Sequence, residues 1–145
     1  MLTTAVGDAI FERLIGDVGL MALTADYQGT KAIFQDEPIP PGVNPPFIVI
    51  SGPLLDEAGA FETKNTLGRE WVRDIFCYEA HLGTESVVNE MAAMVRDLFH
   101  RQGRYIEVDG AAVMIASATG PEKAPTDDTL YGRVVTVTLT AALIE

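Results

Sequence analysis

Residues 133–144 alternate almost without fault, with Val135, Val137, Leu139, Ala141 and Leu143 on one parity and Thr136, Thr138 and Thr140 on the other. Successive side chains of an extended chain point to opposite sides, so this segment is expected to be a strand with one apolar and one threonine-lined face. Such a strand is not stable alone. Its backbone needs neighbours to pair with, and its apolar face needs a covering layer.

Two segments have the periodicity to supply that cover. In residues 84–102, Val87, Val88, Met91, Val95, Leu98 and Phe99 follow the 3.6-residue repeat, Thr84 is placed to cap, Glu85 suits the helix dipole and Gly103 is placed to end the helix. This spacing predicts Val88, Met91, Val95 and Leu98 against the sheet. Residues 4–15 put Val6, Ile10 and Leu14 on one stripe, with Thr3 or Thr4 as N-cap and Gly16 past the end, and Leu20 and Leu23 prolong the apolar face in a short second turn.

Further strands are expected on either side. Residues 31–34 read as a short strand, followed by Pro38, Pro40, Pro41, Pro45 and Pro46, which forbid both helix and central strand. The continuous run Phe47-Ile48-Val49-Ile50 suits a strand buried in the sheet. Residues 69–79 place Trp71, Ile75 and Cys77 on one face and Val72, Phe76 and Tyr78 on the other, so both faces are expected to be covered. Asp109-Gly110 is a two-residue turn signal that predicts paired strands at 105–108 and 111–116, and residues 121–129 read as a loop. Together these elements predict an α+β fold with a mainly antiparallel sheet of about five to six strands and two helices packed on one face. The 145 residues fit one domain, 1–145, with a long loop at 53–68.

Chemistry is hard to find in this pattern. Cys77 is the only cysteine and reads as a buried, inert thiol, so no internal disulfide or thiolate metal cluster is available. His81 and His100, the only histidines, stand in no ligand spacing and suit surface or capping roles. Ser51, Ser86 and Ser117 lack a nucleophile signature, and no glycine cluster forms a phosphate-cradling loop. The carboxylate pairs Asp36-Glu37, Asp56-Glu57 and Asp127-Asp128 lack the spaced oxygen ligands of a calcium site. No catalytic residue, cofactor or metal is therefore expected. Nothing resembles a membrane span of about 18 apolar residues or a secretory leader.

The net charge of −11 is uneven, with nine acids against only Arg13 and Lys31 in residues 1–63. An acidic surface gains no counterion release from duplex DNA, so DNA as a tightly held ligand is disfavoured, although DNA sliding past is not. The feature left over is the sixteen-residue segment 53–68 between two expected strands, where hairpin loops usually have about 2–5 residues. Its mixture of apolar and polar side chains suits a partner-binding segment, mobile in the free subunit and ordered on its partner. Candidate interface residues are Leu54, Leu55, Asp56, Glu57, Phe61, Glu62, Lys64, Asn65 and Arg69.

The order of parts resembles that of the phage and prophage tail-terminator, or tail-completion, proteins, a family also found in phage-like gene transfer agents. The resemblance rests on the helix from Ile10 to Leu14 with Leu20 and Leu23 after it, and on Ile33-Phe34 before the prolines. It continues through Phe47 to Ser51, Arg73 to Ala80, Val87 to Phe99, and Arg133 to Leu143. It covers nearly the whole chain and consists of hydrophobic pattern, without a catalytic signature. It implies a homo-oligomeric ring, usually a hexamer, that caps the tail-tube protein, stops tube growth and meets the head-tail connector proteins, with DNA passing through the lumen. The location so implied is the tail or neck of a virion assembled in the bacterial cytoplasm. Two alternatives are a head-closure protein of the same neck and a small-molecule-binding α+β domain.

Overall fold

In the computed structural model, the described residues are 2–35, 41–52, 54–58, 68–80, 86–124 and 130–143. The elements run α1 (Leu2–Ile15), α2 (Val18–Leu23), β1 (Asp26–Tyr27), β2 (Thr30–Lys31), β3 (Ile33–Gln35), β4 (Phe47–Ile50), β5 (Leu55–Ala58), β6 (Gly68–Ala80), α3 (Ser86–Phe99), a 3-10 turn (Gly103–Tyr105), β7 (Ala111–Lys123) and β8 (Leu130–Leu143). The main sheet has the order β3-β4-β6-β8-β7, and β5 pairs with the first half of β6 on the side where β4 pairs with the second half. All its pairings are antiparallel except β3 with β4. The fold is thus α+β as expected.

Strand β8 keeps the parity read from its sequence. Val135, Val137, Leu139 and Ala141 are buried, while Thr136, Thr138 and Thr140 are half-buried on the opposite face. On β6, Trp71, Ile75 and Cys77 join them beneath the helices, where Val6, Ile10 and Leu14 of α1 and Val88, Met91, Ala92, Val95 and Phe99 of α3 complete the core. The Phe47–Ile50 run is buried on both sides. Ile48 and Ile50 enter this core, whereas Phe47 and Val49 form a second apolar cluster with Ala32, Phe76 and Tyr78 on the other face. There the Phe47 and Tyr78 rings lie 5.1 Å apart.

Several expectations need correction. Helix α1 begins at Leu2, so Thr3 and Thr4 lie inside it and neither caps it. The short second helix is capped by Asp17, whose Oδ1 accepts from the Leu20 N–H at 2.9 Å. The expected strand at 31–34 is divided at Ala32. Its first part closes a small hairpin, β1 with β2, through Gln28 and Gly29 at positive φ, and its second part is β3.

Helix α3 stops at Phe99, before Gly103, and Arg101 takes the left-handed conformation at φ 59. Phe99 occupies the buried end of its stripe and Leu98 is only half-buried, because the stripe drifts over four turns of a 3.6-residue helix. The capping positions 84 and 85 lie outside the described residues.

The Asp109-Gly110 turn forms, with Gly110 at φ 87 and the Ala111 N–H donating to Val108 O at 3.1 Å, but only one isolated bridge precedes it. Of the expected strand at 105–108, Tyr105 closes a 3-10 turn that begins at Gly103, and Ile106 and Glu107 are unpaired in the sheet. The longer partner wins, because β7 pairs with β8 from Ala111 onward. Pro121 belongs to that strand and not to a loop. A register shift between Thr119 and Glu122, with Gly120 at φ 103, accommodates it on a strand whose far edge needs no ladder donor there. A Cβ at Gly120 would stand 2.8 Å from Val134 O, so only glycine fits.

Truncating Phe99 to alanine should cost about 3–5 kcal/mol in denaturant titration, and truncating half-buried Leu98 distinctly less. Equal losses for the two would show that the core-facing stripe of α3 is misassigned.

Candidate assembly surfaces

Among the described residues no three His, Cys, Asp or Glu side chains gather as metal ligands. Cys77 is fully buried in the core, and burial pushes its thiol up to about 12. The thiolate is the nucleophilic form, so this thiol is inert at neutral pH. His100 has a structural task, since its Nδ1 accepts the Ala118 N–H of β7 at 3.2 Å. His81, Asp36, Glu37, Asp127 and Asp128 lie outside the described residues.

Two charged side chains that sequence reading missed are buried in the sheet. The Glu79 Oε1 accepts the Val88 N–H at 3.1 Å, so a carboxylate on β6 satisfies a free donor in the first turn of α3. Arg73 donates through Nη1 to Ser51 O at 3.1 Å, where the chain passes from β4 towards β5. A Cβ on Gly7 would stand 3.3 Å from that Nη1 and 2.6 Å from Gln35 Oε1, so a side chain at this point of α1 would displace the end of the Gln35 side chain. Both charges share the odd parity of Trp71, Ile75 and Cys77, and that parity was the available signal.

The expected loop at 53–68 is shorter than it looked. Leu55, Asp56, Glu57 and Ala58 form β5, opposite Val72, Trp71, Glu70 and Arg69 of β6. The Leu54 N–H donates to Val72 O at 3.1 Å, and its side chain is 56% exposed. This pairing contradicts a wholly unpaired segment: its first third continues the sheet. Arg69 is half-buried within β6, opposite Ala141 of β8. Phe61, Glu62, Lys64 and Asn65 lie outside the described residues. Four candidates, Leu54 to Glu57, are thereby aligned along one sheet edge, with Arg69 on the adjoining strand.

A different surface, on β7, carries two further exposed apolar groups. In β7 the register shift between Val113 and Ile115 leaves Met114 unpaired, and Met114 and Ile115 are 63% and 61% exposed. With Ala116 they border a shallow depression whose other wall is Arg101, Gly103 and Arg104. The Arg104 guanidinium lies 4.7 Å from the centre of the Tyr105 ring, and that of Arg13 lies 5.5 Å from it. A second depression, of 340 Å³, lies between α1 and the 3-10 turn and is lined by Glu12, Arg13, Asp17, Leu98, Tyr105 and Glu107. Both are open and shallow, and neither pairs a nucleophile with a base.

The face of the sheet opposite the helices is polar over the β8 half. Thr136 Oγ1 donates to Asp74 Oδ1 at 2.6 Å, and Thr138 and Thr140 stand beside Val72 and Glu70.

Cys77 should resist a thiol reagent at pH 8 until the protein is unfolded. Its ordinary value of 9.0 is raised by folding, so the unfolded chain releases this proton first and stability should fall as pH rises from about 9 to about 12. Replacing Cys77 by alanine should remove that part of the alkaline loss. Rapid labelling of the native protein would contradict the burial.

No protein-family model and no curated sequence matches the chain. Among solved structures, the fold is similar to a chain in the "Virion of native gene transfer agent (GTA) particle", with a TM-score of 0.68 and 15% identity, covering 98% of this chain and 96% of the other. At that identity, what the two chains share is the fold.

Proposed function

We propose that this chain is a structural, non-catalytic subunit of a phage-type tail: a tail terminator acting as one domain, which forms a ring on the tail tube, stops its growth and offers the joint to the head connector. The observation that carries this reading is the end-to-end likeness to a chain of a gene transfer agent virion, in which 98% of this chain and 96% of the other correspond.

The surfaces support the same reading. The depressions are shallow and border arginines, carboxylates and an exposed aromatic ring, as suits contact with another protein. The net charge of −11 keeps DNA from adhering as it passes through a ring. The partners are then further copies of the chain, in the hexameric arrangement that the family resemblance implies, together with the tail-tube and connector proteins. The site of action is the tail or neck of a particle assembled in the bacterial cytoplasm.

Purified protein added to polymerising tail tubes should bind one tube end and narrow the distribution of tube lengths, as seen by electron microscopy. It should not retain duplex DNA at about 0.15 M salt, because an acidic surface repels phosphate. Binding to filled heads with no binding to tube ends would replace this reading with head closure.

A further inference from the structure

In a chain with 21 acidic and 10 basic residues, Arg101 and Arg104 stand with the exposed Met114 and Ile115 around one shallow depression. Neither arginine forms an ion pair among the described residues. Strand alternation would turn one of the two adjacent apolar residues inward, and it is the register shift at Met114 that leaves both exposed. Exposed apolar groups beside uncompensated like charge mark a surface that meets an acidic, partly apolar partner.

Helix α1 carries a surface of that chemistry. Asp8, Glu12 and Ile15 are all exposed and stand at i, i+4 and i+7, so they form one stripe of the helix, opposite the buried stripe of Val6, Ile10 and Leu14. Val18, exposed at the start of α2, prolongs the apolar end of that stripe. Asp8 Oδ1 accepts from Gln35 Nε2 at 3.3 Å, but neither Asp8 nor Glu12 forms an ion pair among the described residues. Within one copy the stripe and the arginines are not joined: α1 touches β3 and β4, whereas Met114 and Ile115 belong to β7 at the other margin of the sheet.

We propose that the surface of Arg101, Arg104, Met114 and Ile115 receives the outward stripe of α1 from the next copy. The arginines meet Asp8 and Glu12, and Met114 and Ile115 meet Ile15 and Val18, so each surface supplies the charge and the apolar cover that the other lacks. The contact is head-to-tail, joining different surfaces of the two copies, which is the kind that closes rings. Side chains make it, because the backbone edge of β7 is already engaged at Ala116 O by the Arg101 N–H and at Ala118 N–H by His100. The inference rests on the ring reading above and names the surfaces that build the ring.

Two double variants of the full chain test it: R101E/R104E, which reverses one surface, and D8R/E12R, which reverses the other. Sedimentation over a concentration series should show wild-type self-association. Each variant alone should weaken it by about thirtyfold or more, the scale of losing charged pairs at an interface. An equimolar mixture should regain association, because each reversed surface then meets its opposite on the other variant. Variants that associate like wild type overturn the assignment, as does a wild-type chain that stays monomeric at every concentration. A mixture that associates no better than either variant alone, while both stay folded by circular dichroism, also overturns it. Loss of tube capping in R101E/R104E with self-association intact would assign the arginines to the tail-tube protein instead. Failure of the ring reading shows separately, as wild-type protein that self-associates through these surfaces and yet leaves tube ends uncapped.

Discussion

Strands β6 and β8 are joined by an unbroken antiparallel register from Gly68↔Ala142 to Ala80↔Leu130, and every other strand of the main sheet is attached to one of them directly or through β4. Register decides which side chains face the helices, because a slip of one residue sends an entire set to the opposite face. Such a slip in β8 would take Val135, Val137, Leu139 and Ala141 out of the core and put Thr136, Thr138 and Thr140 in their place. Burying one large aliphatic side chain contributes about 1.5–3 kcal/mol, so the alternative register is excluded by several such terms at once. The threonine face and the contact of Thr136 with Asp74 are consequences of the same register.

Within that frame, buried charges tie layers together. Burying a carboxylate is costly unless it is hydrogen-bonded, and Glu79 meets that condition with a donor that α3 cannot satisfy within its own first turn. One interaction therefore satisfies two groups and fixes where α3 begins relative to β6. Arg73 makes the corresponding link at Ser51, where the register steps from Ile50↔Ile75 to Leu55↔Val72. Four residues then lie opposite two, so the segment leading to β5 is offset by a feature of the backbone pairing.

Periodicity makes much of this legible in the amino-acid sequence. The inward face of β8, the inward parity of β6 and the doubly buried Phe47–Ile50 run depend on local alternation and on hydrophobicity, and all are readable as such. What is not legible depends on partners distant in sequence. Leu55 to Ala58 look like loop because their pairing is supplied by β6, and residues 105–108 look like strand because nothing local shows that β7 prefers β8. Of the candidate interface, Leu54 to Glu57 have a described place along an edge, whereas the arginine surface is invisible in the linear chain. It requires the end of α3, the 3-10 turn and the register shift of β7 to be brought together.

The bond between His100 and Ala118 has a further consequence. A sheet with two bare margins is a template for unlimited lateral growth, the hazard that leads edge strands into ribbons and fibrils. Here the polypeptide that leaves α3 lies across the margin of β7, with His100 and Arg101 occupying the hydrogen-bonding groups that an incoming strand would seek. Ribbon growth by repeated strand addition is blocked at this margin, and a population of such molecules is biased towards assemblies of finite size.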